Sequence, residues 1–229
     1  MSRGGPVITI DGPAGVGKST VGRVVAAALE LPFLDTGIFY RALTVAAARR
    51  GLAPEDAGAL ADLARTFKVE VNTGGGAEGW RARADGTELD LELWDPELAP
   101  LLAKVASLGP VRDALLEPQR AAGLEGVVAV GRDTGTVVFP QADRKFYLDA
   151  APEVRLERRR RELARRGLPT PDALMAEEVI DRDRVDRQRA HGPLAVPPGA
   201  VVIDTGELTA AEVSERVLTG CSGLRRHHR

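Results

Sequence analysis

An α/β fold, with a parallel sheet covered on both faces by helices, is what the 229-residue sequence predicts, on three observations. Short apolar runs of β-forming residues recur along the chain without the polar alternation of a half-exposed strand, which is how strands buried on both faces read. Amphipathic helical stretches separate these runs, as parallel connections require. The segment 67–93 alone switches to alternation of period two with glycine turns, the mark of an antiparallel insert.

In chain order, PVITI (6–10) is the first strand, and it opens through a glycine-rich loop into a helix at about 18–30. PFLD (32–35) is the second strand, followed by helices at about 37–50 and 55–66. In FKVEVNTGGGAEGWRARADGTELDLEL (67–93), Val69 and Val71 alternate with polar residues, three glycines make a turn, and Asp85-Gly86 is a hairpin signal. A small antiparallel meander, serving as a substrate cover or packing module, is expected there. A helix at about 110–124 precedes GVVAVG (126–131), and RKFYLD (144–149) is the next strand. Two charged helices follow, at about 152–166 and 171–191, joined by an LPTP turn; AVVID (200–204) and a helix at 209–218 come last.

Hydrophobic residues make up 44 % of the chain and charged residues 28 %, while the formal net charge is only −2. This describes a soluble globular protein with no global attraction for nucleic acid or an acidic membrane, so affinity for anions must come from local clusters. The clusters are arginine: of the 31 basic residues, only Lys18, Lys68, Lys104 and Lys145 are lysines. The single Cys221 suits a reducing compartment, and no apolar run has the length of a signal h-region or a membrane span. A cytoplasmic monomer with no nucleic-acid or membrane partner is expected.

GPAGVGKS (12–19) matches G-x-x-x-x-G-K-[ST] directly after a strand and at the start of a helix, the context that motif requires. Gly12, Gly15 and Gly17 let the backbone wrap with its N–H groups inward, with Pro13, Ala14 and Val16 completing the loop. The helix that begins at Lys18, Ser19 and Thr20 adds its positive end. Lys18 is placed to reach β- and γ-phosphates, and Ser19 to ligate Mg²⁺. Binding of a nucleoside triphosphate is therefore expected.

A GTPase would need an N-K-x-D guanine reader, but the only asparagine is Asn72, inside the insert. A motor ATPase would show an apolar strand ending in Asp-Glu, whereas the later strands end GRD, YLDA and VIDT. A kinase of a small anionic acceptor needs a second anion site beside the first. LDTGIFYRAL (34–43) begins at a strand end and sets Arg41 about one turn inside a helix, and VGRDTGTVVFP (130–140) ends a strand on Arg132-Asp133. Ligands of open parallel sheets sit beyond the strands' carboxyl ends. The phosphate loop, Asp35, Arg41, Arg132 and Asp133 should then meet in one crevice.

Over nearly its whole length the chain resembles the bacterial cytidylate (CMP) kinases, through ITIDGPAGVGKST, LDTGIFYRAL, VRDALLEPQR, GRDTGTVVFP and DRDRVDRQRAHGPL, in that order. The resemblance implies the P-loop NMP-kinase fold: a five-stranded parallel sheet flanked by helices, a small antiparallel β insert and a helical lid. It implies a single kinase unit with an NMP-binding region at 36–125 and a lid at 155–190. It also implies transfer of the γ-phosphoryl of ATP to CMP or dCMP; another NMP or a shikimate-type acceptor is the alternative. Carried over, it gives Thr36 and Arg41 to the acceptor nucleotide, Arg41 and Arg132 to its phosphate, and Arg112 and Asp133 to the cytosine. A carboxylate accepts from the exocyclic amine of cytosine, and Arg donates to ring acceptors. The family's base-contacting serine is replaced here by Ala103, so the base reading should lean on Arg112 and Asp133.

DRDRVDRQR (181–189) sets Arg182, Asp186 and Arg189 along one helix face, with Asp183 and Arg187 as an i,i+4 pair on the next. By resemblance Arg182 and Asp186 reach the acceptor, and Arg184 and Arg187 or Arg189 address the transferring phosphoryl. Arg155, Arg160, Arg165 and Arg166 read as solvated ion-pair ladder. The attacking oxygen belongs to an ionised phosphate, so no catalytic base is expected, and catalysis is positioning plus neutralisation of charge. His191 is expected only to cap or pack at a helix end.

Overall fold

The computed structural model describes residues 4–67, 69–72, 81–84, 87–89, 93, 98–165, 171, 175, 176, 179, 180 and 182–224; at 70–72, 81–84, 87–89, 99, 162 and 182 it describes the backbone alone. β1 (Val7–Asp11) leads through the glycine loop into α1 (Lys18–Leu29), and β2 (Phe33–Asp35) into α2 (Gly37–Arg49) and α3 (Ala57–Thr66). β3 (Val69–Asn72), β4 (Arg81–Ala84) and β5 (Thr87–Leu89) precede α4 (Ala99–Ser107) and α5 (Gly109–Ala121). After β6 (Val127–Gly131) come a π-helical turn (Thr134–Val138), β7 (Arg144–Asp149), α6 (Pro152–Arg165), α7 (Arg182–Gln188), β8 (Val201–Asp204) and α8 (Ala210–Gly220).

Five strands form a parallel sheet in the order β2-β6-β1-β7-β8, and β3, β4 and β5 pair antiparallel as a separate sheet. β1 and β6 are buried at every position, as their unbroken apolar sequences require. On one face the sheet packs Ile8, Ile10, Val128 and Phe146 against Val21 and Val25 of α1 and Val213 and Val217 of α8. On the other, Val7, Val127 and Ala129 meet Phe39 and Leu43 of α2, Leu60 of α3, Leu102 of α4 and Leu115 of α5. Truncating a fully buried side chain such as Phe39 to alanine would cost ~3–5 kcal/mol.

Two departures from the sequence reading have local causes. α4 was not anticipated: DPELAP and LGP look like loop punctuation, yet Pro100 and Pro110 each sit in the first turn of a helix, where a missing N–H costs nothing. The helix expected to reach residue 191 stops at Gln188, and Gly192 follows with φ 59, a left-handed conformation that ends the run. The remainder of 171–181 lies largely outside the described residues.

Register places the site. Asp11 pairs with Gly131 and Asp35 with Val130, so β1, β6 and β2 end level with one another. The glycine loop, the Asp35-Thr36 corner and the Arg132-Asp133 corner therefore leave the sheet along one edge.

Candidate active site

The phosphate loop is shaped by close approaches. Gly12 has φ 148 and Gly15 φ 77, and a Cβ on Gly12 would collide with the Leu148 carbonyl, one on Gly15 with the Arg155 carbonyl at 2.8 Å. Lys18 is buried, and its Nζ donates to the Pro13 carbonyl at 2.6 Å. Burial first, and then the charge of Arg132, hold its ammonium well below the usual lysine pKa. A cation kept in this state gains when a polyphosphate arrives. Ser19 Oγ donates to Asp35 Oδ2 at 2.9 Å, which sets a hydroxyl and a carboxylate side by side at the foot of the loop.

A cleft of about 350 Å³ runs from this loop towards α5; Lys18, Ser19, Thr20, Asp35, Thr36, Arg41, Arg112, Arg132, Asp133, Asp186 and Arg189 line it. The convergence expected from the strand ends is thus present. Arg112 and Asp133 form an ion pair with both side chains 7 % exposed; Arg112 also donates to the Ala106 carbonyl at 3.0 Å and stacks its guanidinium over Tyr40. Arg132 Nε donates to Asp186 Oδ2 at 3.1 Å, and Arg189 Nη1 to Asp186 Oδ1 at 2.8 Å. Asp186 therefore spaces two guanidiniums, as the i,i+3 separation of Asp186 and Arg189 allows. Arg189 is itself buried, and that burial, followed by the charge of Arg112, lowers its pKa. Thr36 Oγ1 donates to the Val130 carbonyl at 3.0 Å, and Arg41 Nη1 to the Leu93 carbonyl at 2.8 Å.

The remaining sequence candidates sit differently. The Arg182 side chain lies outside the described residues. Asp183 and Asp186 form the buried side of α7, so Arg184 and Arg187 take exposed positions away from the cleft wall, Arg187 bonding Tyr147. Ala106 lines the cleft in the stretch where Ala103 was considered, and the Ser107 hydroxyl turns back to the Lys104 carbonyl at 2.6 Å. His191 packs over Gly109 at the start of α5, consistent with a packing role.

Two expectations are corrected. Arg155 is not a solvated ladder residue: it is 4 % exposed, and its guanidinium donates to the Ala150 carbonyl, to the Ala14 carbonyl at 3.0 Å and to Asp183. Asp183 accordingly does not pair with Arg187; its other oxygen accepts from the Ala14 amide at 3.0 Å. Helical spacing showed which residues share a face, but the partner across the loop, 141 residues away from Arg155, had no local signature. Arg160, by contrast, is half exposed and paired with Glu157, as expected.

Three residues were missed. Arg23, one turn beyond Ser19 on α1, and Arg159, within the run 158–161, both line the cleft. Asp11 is fully buried at the end of β1, accepting from the amides of Thr134 and Gly135. An aspartate closing an apolar strand was the available signal for it.

A glycine loop at a parallel sheet's carboxyl edge, facing a second cluster of arginines in the same cleft, defines a P-loop kinase. The family model described as cytidylate kinase matches residues 8–222, and the chain belongs to that family. A cytidylate kinase of Pelotomaculum thermopropionicum is 41 % identical over 223 residues, covering 96 % of this chain and 98 % of that protein. A bifunctional pantoate ligase/cytidylate kinase of a Synechococcus strain is 40 % identical over 93 % of this chain, which spans only 40 % of that longer protein. Among solved structures, a gluconokinase from Sinorhizobium meliloti 1021 aligns with a TM-score of 0.46 at 19 % identity, over 95 % of this chain and 92 % of that one.

Proposed function

We propose that this protein transfers the γ-phosphoryl group of ATP to CMP or dCMP, giving ADP and CDP or dCDP. The observation that carries the reading is the meeting, in one cleft, of the Lys18 loop with Arg132, Arg189 and the Arg112–Asp133 pair. The loop from Gly12 to Thr20 holds the triphosphate. Arg41 and Arg132 hold the acceptor phosphate, with Thr36 beside it, and Arg112 and Asp133 read the cytosine. Arg189 faces the transferring group, Arg182 is assigned to the acceptor, and Asp186 keeps the guanidiniums apart and aimed. Arg184 and Arg187 reach the phosphates only if α7 shifts, since both stand outside the cleft wall.

Residues 36–125, with the β insert, form the acceptor-binding region in this reading, and 155–190 the lid. Mg²⁺ fits the Ser19 hydroxyl and the Asp35 carboxylate, which are hard oxygen donors already in contact. No cage of three or more acidic, His or Cys groups exists among the described residues, which suits an ion whose other ligands are phosphate oxygens and water. When bound, it neutralises charge on the phosphates.

The acceptor oxygen is already ionised near neutral pH, so the residues need not remove a proton. They align the two phosphates, exclude water and spread positive charge around the transferred group. Among the described residues no helix is long and apolar enough to cross a membrane. A cytoplasmic location is part of the proposal, supported by the lone Cys221.

Coupled ADP release measured with CMP, dCMP, UMP, AMP, GMP and shikimate tests the assignment. Stimulation by CMP and dCMP above the others is expected. A stronger response to another acceptor would replace the proposal with the alternative kinase.

A further inference from the structure

Asp11 is the last residue of β1, next to Gly12, and its carboxylate is 0 % exposed. It makes no ion pair among the described residues. Its Oδ1 accepts from the Thr134 amide at 2.8 Å and its Oδ2 from the Gly135 amide at 2.7 Å. These amides open the π-helical turn that begins directly after Arg132 and Asp133. The turn is packed tightly where it meets Asp11: a Cβ on Gly135 would lie 2.7 Å from Thr9 Oγ1 and 3.1 Å from Asp11 Oδ2. Thus one buried carboxylate fixes two consecutive peptide groups, and those peptides set the direction of the residues assigned to the acceptor's phosphate and base. A buried carboxylate is costly unless it is hydrogen-bonded, and this one is bonded to the turn at Thr134 and Gly135.

We infer that Asp11 is a positioning residue for acceptor recognition: through the Thr134 and Gly135 amides it aims Arg132 and Asp133 at CMP, while making no contact with either nucleotide. The inference rests on the proposed CMP kinase activity. It separates the two substrates, because the β6 corner faces the acceptor, while the phosphate loop is held at Ala14 by Asp183 and Arg155. Asparagine at position 11 fills the same volume but turns one acceptor into a donor facing an N–H. That amide must move, and Asp133 moves with it.

The test is steady-state kinetics of Asp11→Asn against the wild type, with CMP, UMP and ATP varied in turn. About a tenfold rise in the CMP KM, a lower CMP to UMP preference and an ATP KM within about twofold are expected. In an Asp133→Ala background, Asp11→Asn should lower the preference no further. Unchanged CMP parameters, or equal rises in both KM values, would overturn the inference. Should Asp11→Asn be recovered only as aggregate, Asp11→Ser, smaller and able to accept from one amide, must show the same split. Wild-type enzyme inactive on CMP would instead remove the kinase assignment, and the inference with it.

Discussion

Arg155 of α6 and Asp183 of α7 form an ion pair with side chains 5 % and 2 % exposed, and between them they hold the backbone N–H and C=O of Ala14. The two charged helices are thereby docked onto the tip of the phosphate loop. Pairs this deep are strongly coupled because removing one partner strands the other in a poorly solvated site. Arg155→Ala and Asp183→Ala should each lower stability by about 3–5 kcal/mol. The double variant should cost clearly less than their sum, read from denaturant unfolding as a double-mutant cycle. Additive losses would mean that the two groups are independently solvated.

Lys18 answers a different question, because its charge is disfavoured by burial in the protein without nucleotide. Lys18→Met removes the charge and keeps the apolar stem. Folding stability should hold, and CMP binding, measured calorimetrically without ATP, should change little. The transfer rate should fall at least ~10²-fold, the loss seen when one preorganised electrostatic group is removed. A variant retaining more than a tenth of the wild-type rate would place the essential positive charge elsewhere in the cleft.

Asp133 meets Arg112 in the buried pair that we propose reads the base. Uracil presents an acceptor where cytosine presents an amine, so a carboxylate there opposes UMP. Asp133→Ala should reduce the CMP to UMP ratio of kcat/KM by about 10- to 100-fold, equivalent to ~1–3 kcal/mol. Arg112, left without its carboxylate, should also bind CMP less well. A ratio unchanged from the wild type would take Asp133 out of base reading.

The parts of this site that were legible in the sequence are those where backbone and side chain are dictated locally. The glycine loop needs its glycines for wrapping, and a residue at a strand's end points to the sheet edge, which brings Asp35, Arg132 and Asp133 together on sequence alone. Arg112, Asp186 and Arg189 came from ordered resemblance and helical spacing. What stayed hidden depends on distant partners. Arg155 and Arg160 sit in one charged helix, yet one is buried and the other half exposed, and only the approach of Ala14 and Asp183 distinguishes them. Asp11 resembled a strand terminus because the turn it holds lies 123 residues further along. α4 was hidden by prolines that open helices as readily as they end them.

Asp11 also predicts a pH dependence of stability. Its pKa is raised from 3.8 to about 6, chiefly by burial, against which the Gly135 and Thr134 amides pull it down and the charge of Asp133 adds a smaller upward push. Lys18 is a cation within its field. The folded protein therefore binds this proton more tightly than the unfolded chain does. Its contribution to stability is complete below pH 3.8 and is lost as pH rises through about 6. The shift corresponds to about 3 kcal/mol. Other carboxylates titrate over part of the same range, and the half-exposed Glu157 and exposed Glu212, whose pKa values are lowered, act in the opposite sense at lower pH. Subtracting the unfolding free energy of Asp11→Asn from that of the wild type at each pH isolates the one group. The difference should decline between about pH 4 and 6 and level off above pH 7. A difference that rises over that interval would mean the two amide bonds outweigh the cost of burying the charge.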